Sequence, residues 1–247
     1  MTSHRGGRPA GRSATSRGGF FLSLEGPEGA GKTTQGGLLA DYLRGRGLDV
    51  VAVREPGGTP IGEEIRAILL DPRHQRLTVC AEMLLFAASR AQLVAEVIMP
   101  ALQAGKWVIS DRFLDASLAY QGAGRRLGVE VVRQVNAAAT GGLLPDLTLL
   151  LDIDVPTGLR RARAASPRPG VGDRLEQEQV SFHERVRQGF LSLAQNEPER
   201  ILVVDARGTV GDVQREIRQA VAEVLRRRDR GPAGRGPHEA DPRDCPG

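Results

Sequence analysis

Short apolar runs alternate along this chain with stretches where apolar residues return every three or four positions. Phe20-Phe21-Leu22-Ser23-Leu24 is such a run and predicts a buried strand. Leu38, Leu39, Tyr42 and Leu43 then follow at helical spacing, and Gly45 and Gly47 mark that helix's end. Val50–Val53 predicts a second strand and Ile61–Leu70 a second helix, stopped by Asp71-Pro72. Between them, Arg54-Glu55-Pro56-Gly57-Gly58-Thr59-Pro60 can continue neither element and predicts a loop. A long helical pattern runs from Val79 to Leu102, and Trp107–Asp111 predicts a third strand ending in a carboxylate.

Residues 115–139 have helical character broken at Gly122, Gly124 and Gly128. Leu147–Ile153 is nearly continuous in apolar residues, the pattern of a strand buried on both faces, as in a parallel sheet. Pro156 opens a helix, and a second long helix is expected from about Arg174 to Gln195. Ile201–Asp205 predicts the last strand and Val210–Arg227 the last helix. Five strands alternating with helices imply an α/β fold, a five-stranded parallel sheet with helices on both faces. Ligands of such folds sit beyond the carboxyl ends of the strands.

Length and charge refine that picture. At 247 residues the chain is one large domain or two small ones. The pI near 9.6 invites a nucleic-acid reading. The basicity, however, is concentrated at the ends: Arg5, Arg8, Arg12 and Arg17 stand in the first 19 residues with no acid, and six arginines face four acids after residue 225. Residues 1–18 and 228–247 are Gly/Pro/Arg-rich with no apolar period and are expected to be disordered extensions of a domain over 19–227. Binding of nucleic acid through these tails is the lesser expectation. Cys80 and Cys245 form no disulfide framework, and no signal peptide or uninterrupted apolar run of about 18 residues is seen. A cytoplasmic protein with no membrane partner is therefore expected.

The candidate chemistry begins with Gly26-Pro27-Glu28-Gly29-Ala30-Gly31-Lys32-Thr33, followed by Thr34. It fits the phosphate-binding P-loop pattern and falls between a strand and a helix, where such a loop works. Gly29 and Gly31 allow the backbone to curl its N–H groups around an anion, Lys32 can reach the β- and γ-phosphates, and the Thr33 hydroxyl can ligate Mg²⁺. Asp111 at the third strand's end can help hold the metal, and Arg112 can clamp a phosphate; a strand-end ion pair is the plainer alternative. Phe86 and Arg90, four apart on one helix, can stack on and hydrogen-bond a flat base, or be core and a solvated cation. Ser117, Tyr120 and Gln121 form a polar patch. Arg160, Arg161, Arg163, Arg168 and Arg174 surround Ser166-Pro167-Arg168-Pro169-Gly170-Val171-Gly172, suiting an Arg-rich phosphoryl-transfer lid over about 160–174 or a solvated charge run.

With these residues in view, the chain resembles the bacterial thymidylate kinases, P-loop nucleoside monophosphate kinases that phosphorylate dTMP to dTDP with ATP. The resemblance spans about residues 19–226. Besides the P-loop it rests on Arg54-Glu55-Pro56-Gly57-Gly58-Thr59, Ser110-Asp111-Arg112-Phe113, Ser117-Leu118-Ala119-Tyr120-Gln121-Gly122, Pro145-Asp146-Leu147-Thr148 and Asp173-Arg174. It implies that Gly26 to Thr34 bind ATP and that Glu28 faces the 3′-hydroxyl side of dTMP or its metal. Phe86 would stack on thymine, with Arg90, Ser117 and Gln121 around the base, Tyr120 against the sugar, and Arg112 on the acceptor phosphate. Thr33 and Asp111 would serve the metal. Some relatives carry a catalytic arginine in the P-loop just after the carboxylate. Here that position is Gly29, so the resemblance implies a lid arginine, Arg168 or Arg174, with Arg163 behind them. It also implies a homodimer, the Phe86 helix contributing to the interface.

Rival readings remain another nucleotide or small-molecule kinase and, from a different class, a nucleic-acid-binding ATPase using its tails. A GTP-binding switch protein is disfavoured, since neither Asn136 nor Asn196 precedes a lysine. No histidine stands beside any motif, and His74 and His183 are expected on the surface or in a helix.

Overall fold

The structure, a computed structural model, describes residues 18–165 and 173–229. The expected terminal extensions, apart from their innermost residues, and the Ser166–Gly172 segment with Arg168 lie outside the described residues.

Five strands, β1 (Phe20–Glu25), β2 (Val50–Arg54), β3 (Trp107–Asp111), β4 (Leu147–Asp152) and β5 (Ile201–Asp205), form one parallel sheet in the order β2-β3-β1-β4-β5. All six residues of β1 are buried, as befits the central strand of a sheet covered on both faces. Side chains alternate across it. Phe20, Leu22 and Leu24 join one apolar core with Leu39, Leu43, Ile217 and Val221, while Phe21 joins the other with Leu93, Phe113 and Phe190. Ser23 also faces the second core. Its hydroxyl meets Thr148 Oγ1 at 2.9 Å, Thr148 donates to Asp115 at 3.0 Å, and Arg200 clamps Asp115 at 2.7 and 2.8 Å. A polar pair inside an apolar sheet is tolerated because each member is satisfied.

The helices are α1 (Lys32–Arg44), α2 (Pro60–Leu70), α3 (Val79–Leu93), α4 (Met99–Gln103), α5 (Leu114–Ser117), α6 (Val129–Thr140), α7 (Val155–Ala165), α8 (Val180–Asn196) and α9 (Val210–Asp229). The caps follow from residue type. Thr59 accepts from Gly62 N at 3.0 Å ahead of α2, and Thr78 accepts from Ala81 N at 3.3 Å ahead of α3. A π-helical turn, Val94–Ile98, joins α3 to α4, so the expected long helix is continuous over Val79–Gln103. By length and composition this helix could cross a membrane, yet here it buries Glu82 and Arg90 inside the fold.

Two expectations are corrected. Gly122 and Gly124 do not break the chain; they lie within a second π-helical segment, Leu118–Gly124, that continues α5. A Cβ on Gly124 would stand 2.7 Å from the Phe182 ring and 2.8 Å from Val186, so glycine there serves close packing against α8. And α8 starts at Val180 rather than near Arg174, because residues 174–177 are held as turns by Asp173, whose carboxylate accepts from Leu175 N and Glu176 N at 2.9 Å each. As expected, His183 lies in a helix, buried on α8, and His74 is exposed with Nδ1 2.9 Å from Ile68 O.

Candidate active site

A cleft of about 850 Å³ opens at the carboxyl ends of the strands, where a parallel sheet of this kind holds its ligands. The P-loop leaves β1 and forms one end of it. Gly29 has φ +69°, and a Cβ there would stand 2.0 Å from Gly158 O, since the backbone of α7 lies directly on the loop. Gly31, at φ +89°, turns the chain into α1. Lys32 Nζ folds back to Pro27 O at 2.7 Å and Gly26 O at 3.1 Å. Burial, reinforced by the nearby Arg112 charge, lowers the Lys32 ammonium to about 8 against the pull of Glu28 and Asp111.

Next in the chain, Thr33 donates its hydroxyl to the Asp111 carboxylate, so the helix start and the end of β3 meet in the cleft. One hydroxyl and one carboxylate suit Mg²⁺, which keeps most of its water and takes further oxygens from bound phosphates. No group of three or more His, Cys, Asp or Glu side chains that could cage an ion stands together among the described residues.

Arg112 is the other pole. Its φ of +72° is rare for a residue with a side chain, and several contacts hold it there. Its own N donates to Leu24 O at 3.0 Å, and Ser110 Oγ donates to its carbonyl at 2.5 Å. Glu25, buried below, accepts from the next amide, Phe113 N, at 2.7 Å. Burial, then the neighbouring Asp115, pushes the Glu25 carboxyl well up. The Arg112 side chain donates to Gly26 O at 3.1 Å, Glu28 Oε1 at 2.9 Å and Tyr120 Oη at 3.1 Å, and Tyr120 donates to Glu28 at 2.6 Å. Burial alone would raise the Glu28 pKa. Arg112, then Lys32 and the Tyr120 hydroxyl, outweigh it and hold the carboxyl at about 2. The Tyr120 hydroxyl is pushed up, first by burial.

The remaining predicted residues divide. Phe86, Ser117 and Gln121 line the cleft beside Tyr120. Gln121 Nε2 donates to Glu82 Oε1 at 2.9 Å. Arg90 lies beneath this wall, 1% exposed, and is not among the cleft-lining residues. Its guanidinium binds Ser117 Oγ at 3.1 Å, Asn136 Oδ1, Phe113 O at 3.3 Å and the Glu55 carboxylate; only Nε lacks a partner. Arg174 is brought to the N-terminal end of α3. It pairs with Glu82 at 2.7 Å and donates from Nε to Leu69 O at 2.8 Å, and it does not line the cleft. Arg163 is also absent from the cleft wall, and Arg160 is exposed. Arg168 falls outside the described residues.

Three further arginines line the cleft; sequence reasoning assigned no role to Arg54 and Arg66 and grouped Arg161 with the lid. Arg54 is tied to Glu63 at 2.7 Å, Arg66 donates to Pro56 O at 2.9 Å, and Arg161 reaches Ala206 O at 2.8 Å and Arg207 O at 3.0 Å. Arg54 had a signal, its place in the Arg-Glu-Pro-Gly-Gly loop. Arg66 had none, being a single cation on a helical pattern, whereas Arg161 stood in the arginine-rich stretch that suits a lid.

The β2-β3-β1-β4-β5 sheet, with a P-loop after its central strand and an acid–arginine turn on the next, defines a P-loop phosphotransferase of the nucleoside monophosphate kinase class. The family model for thymidylate kinase matches residues 24–217. The chain belongs to the thymidylate kinase family. It is 53% identical over 205 residues to the thymidylate kinase of Deinococcus radiodurans, covering 83% of this chain and 97% of that protein. It is 54% identical over 211 residues to that of Syntrophotalea carbinolica, covering 83% and 96%. The crystal structure of thymidylate kinase from Ehrlichia chaffeensis superposes with a TM-score of 0.66 at 32% identity, over 83% of this chain and 98% of that one.

Proposed function

We propose that this cleft transfers the γ-phosphoryl group of ATP to dTMP, with the P-loop at the donor end and the wall from Phe86 to Arg112 at the acceptor end. As a thymidylate kinase family member the chain is an ATP-dependent nucleoside monophosphate kinase that forms dTDP. The observation that carries the division of the site is Arg112. It is held at an unfavourable φ between Glu28 and Tyr120, beside the P-loop lysine.

The acceptor oxygen of dTMP is already anionic near neutral pH, so the reaction needs positioning and charge stabilisation rather than a strong base. The loop from Gly26 to Thr34 cradles the ATP phosphates, and Lys32 turns from its loop carbonyls to the β- and γ-oxygens. Thr33 and Asp111 are the residues to hold Mg²⁺, which neutralises phosphate charge when bound. Arg112 has five N–H donors, and the three contacts above leave two for the acceptor phosphate. Phe86 stacks on the base, Ser117 and Gln121 meet its edge, and Arg90 supports them from below. Tyr120 packs against the sugar, and Glu28 faces its 3′ side. Arg168 is the remaining choice for the charge-stabilising arginine, because Arg174 is spent on Glu82 and Leu69. Arg168→Ala should lower kcat by on the order of 10³-fold with little change in dTMP affinity, whereas Arg174→Ala should lower stability first. The reverse pattern would return the role to Arg174.

The same reading makes the protein a homodimer in the cytoplasm. Exposed Ile61 and Ile68 share one face of α2, and Val79 and Leu84 are exposed on α3, apolar area a partner can cover. The exposed free thiol of Cys80 suits a reducing compartment. The functional test is an ADP-release assay with ATP and Mg²⁺, offering dTMP, dUMP, dCMP, dGMP, AMP or no acceptor. Turnover led by dTMP supports the reading. Another preferred acceptor would keep the kinase and discard this base wall, and acceptor-independent hydrolysis would favour a binding ATPase.

A further inference from the structure

One buried carboxylate, Glu82, belongs to neither the donor nor the acceptor site yet touches both the acceptor wall and the segment that follows residue 172. It is 1% exposed on the first turn of α3. Its Oε1 accepts from Gln121 Nε2 at 2.9 Å and Arg125 Nε at 3.2 Å; its Oε2 accepts from Arg125 Nη2 at 3.0 Å and pairs with Arg174 Nη1 at 2.7 Å. Burial opposes its charge, but the hydrogen bonds from Arg125 and Gln121 and the two guanidinium charges prevail, and its pKa is lowered. An ionised carboxylate can only accept.

A carboxamide, by contrast, has one donating and one accepting end of nearly equal shape, and the partner decides which end faces where. Gln121 lines the cleft. With Nε2 committed to Glu82, the end left to the cleft is Oε1, which no protein donor meets among the described residues. We propose that Glu82 is a positioning residue for acceptor choice: it locks the Gln121 carboxamide with Oε1 toward the base, so that the site selects pyrimidines carrying a hydrogen on N3. Thymine and uracil donate from N3. Cytosine presents a lone pair there, which would oppose the Gln121 oxygen and leave it buried and unpaired. Turned the other way, the same glutamine would welcome cytosine.

The inference rests on the reading above that Gln121 meets the base edge, and the experiment separates the two. Steady-state constants for dTMP and dCMP are measured for the wild type, Glu82→Gln, Gln121→Leu and the double variant, with ATP KM and thermal melting as checks on the fold. In Glu82→Gln the partner can donate or accept, so the dTMP-over-dCMP ratio of kcat/KM should fall about ten-fold or more, one hydrogen bond's worth, through KM rather than kcat. In the Gln121→Leu background, Glu82→Gln should leave the ratio unchanged. An unaltered ratio in folded Glu82→Gln, or a change that persists without Gln121, overturns the positioning role. An unaltered dTMP KM in Gln121→Leu instead brings down the acceptor reading itself. Should Glu82→Gln not fold, the wild type decides with N3-methyl-dTMP. A KM raised about ten-fold or more supports the locked oxygen, and use equal to that of dTMP overturns it.

Discussion

Lys32 is the residue whose charge the cleft alters most usefully. Held near 8 by burial and Arg112, it is cationic at neutral pH and loses its proton as the solution turns mildly alkaline. We expect kcat/KM for ATP to decline above about pH 8, while kcat at saturating ATP holds to higher pH, because bound phosphates favour the ammonium. An alkaline limb displaced to the ordinary lysine range in both profiles would refute the burial effect. Glu28 carries the opposite sign. Its folded pKa of about 2 lies below the ordinary 4.5, so ionised Glu28 stabilises the fold fully above 4.5, and that stabilisation disappears as pH falls toward 2. Glu28→Gln should therefore cost stability at pH 7, and the gap to the wild type should close on acidification through that window, read by denaturant melts. Both residues were legible in the P-loop pattern. The fate of Arg90 and Arg174 was not. A lone arginine in a sequence does not show whether a carboxylate distant along the chain, Glu55 or Glu82 here, will bury it.

One face of α3 carries Glu82, Phe86 and Arg90 at successive i, i+4 positions, and the three do different work in one line. Glu82 gathers Arg125, Arg174 and Gln121; Phe86 meets the cleft; Arg90 braces Ser117 and Asn136. Arg174→Ala leaves Glu82 with Arg125, so it should cost about 1–3 kcal/mol of stability, seen as a lower Tm, with kcat for the surviving folded enzyme close to the wild type. Periodicity predicted this helix and its face. It could not predict the π-helical segments, because an added residue per turn shifts the apolar pattern too little to be seen over one turn. Nor could it foresee that Gly122 and Gly124 sit inside a helix; Gly124 packs against α8, and Gly122 against Val129 at the start of α6, 3.1 Å from where a Cβ would stand. The contact between the P-loop and α7 is equally tight. A Cβ on Gly158 would stand 2.4 Å from Glu28 O, so Gly158→Ala must shift the loop or the helix and should cost about 1–3 kcal/mol, with a raised KM for ATP.

For the whole molecule, the parallel sheet was readable because each strand is a short apolar run closed by a turn residue or an acid. The strand order itself depends on crossovers, which apolar patterning leaves open. Removing residues 1–17 and 230–247 should leave dTMP turnover and melting temperature unchanged, since the described residues between them supply the sheet, both cores and a cleft wall; lost turnover would make the ends part of the enzyme. The facing glycines of the P-loop and α7 also bear on how such enzymes diverge. An arginine at position 29 would have to pass through the Gly158 carbonyl, 2.0 Å from where its Cβ begins. A lineage with this geometry therefore cannot relocate its arginine into the P-loop by one substitution. The first step would be deleterious unless α7 had already moved, and that dependence on the order of changes separates the two arrangements by an adaptive valley.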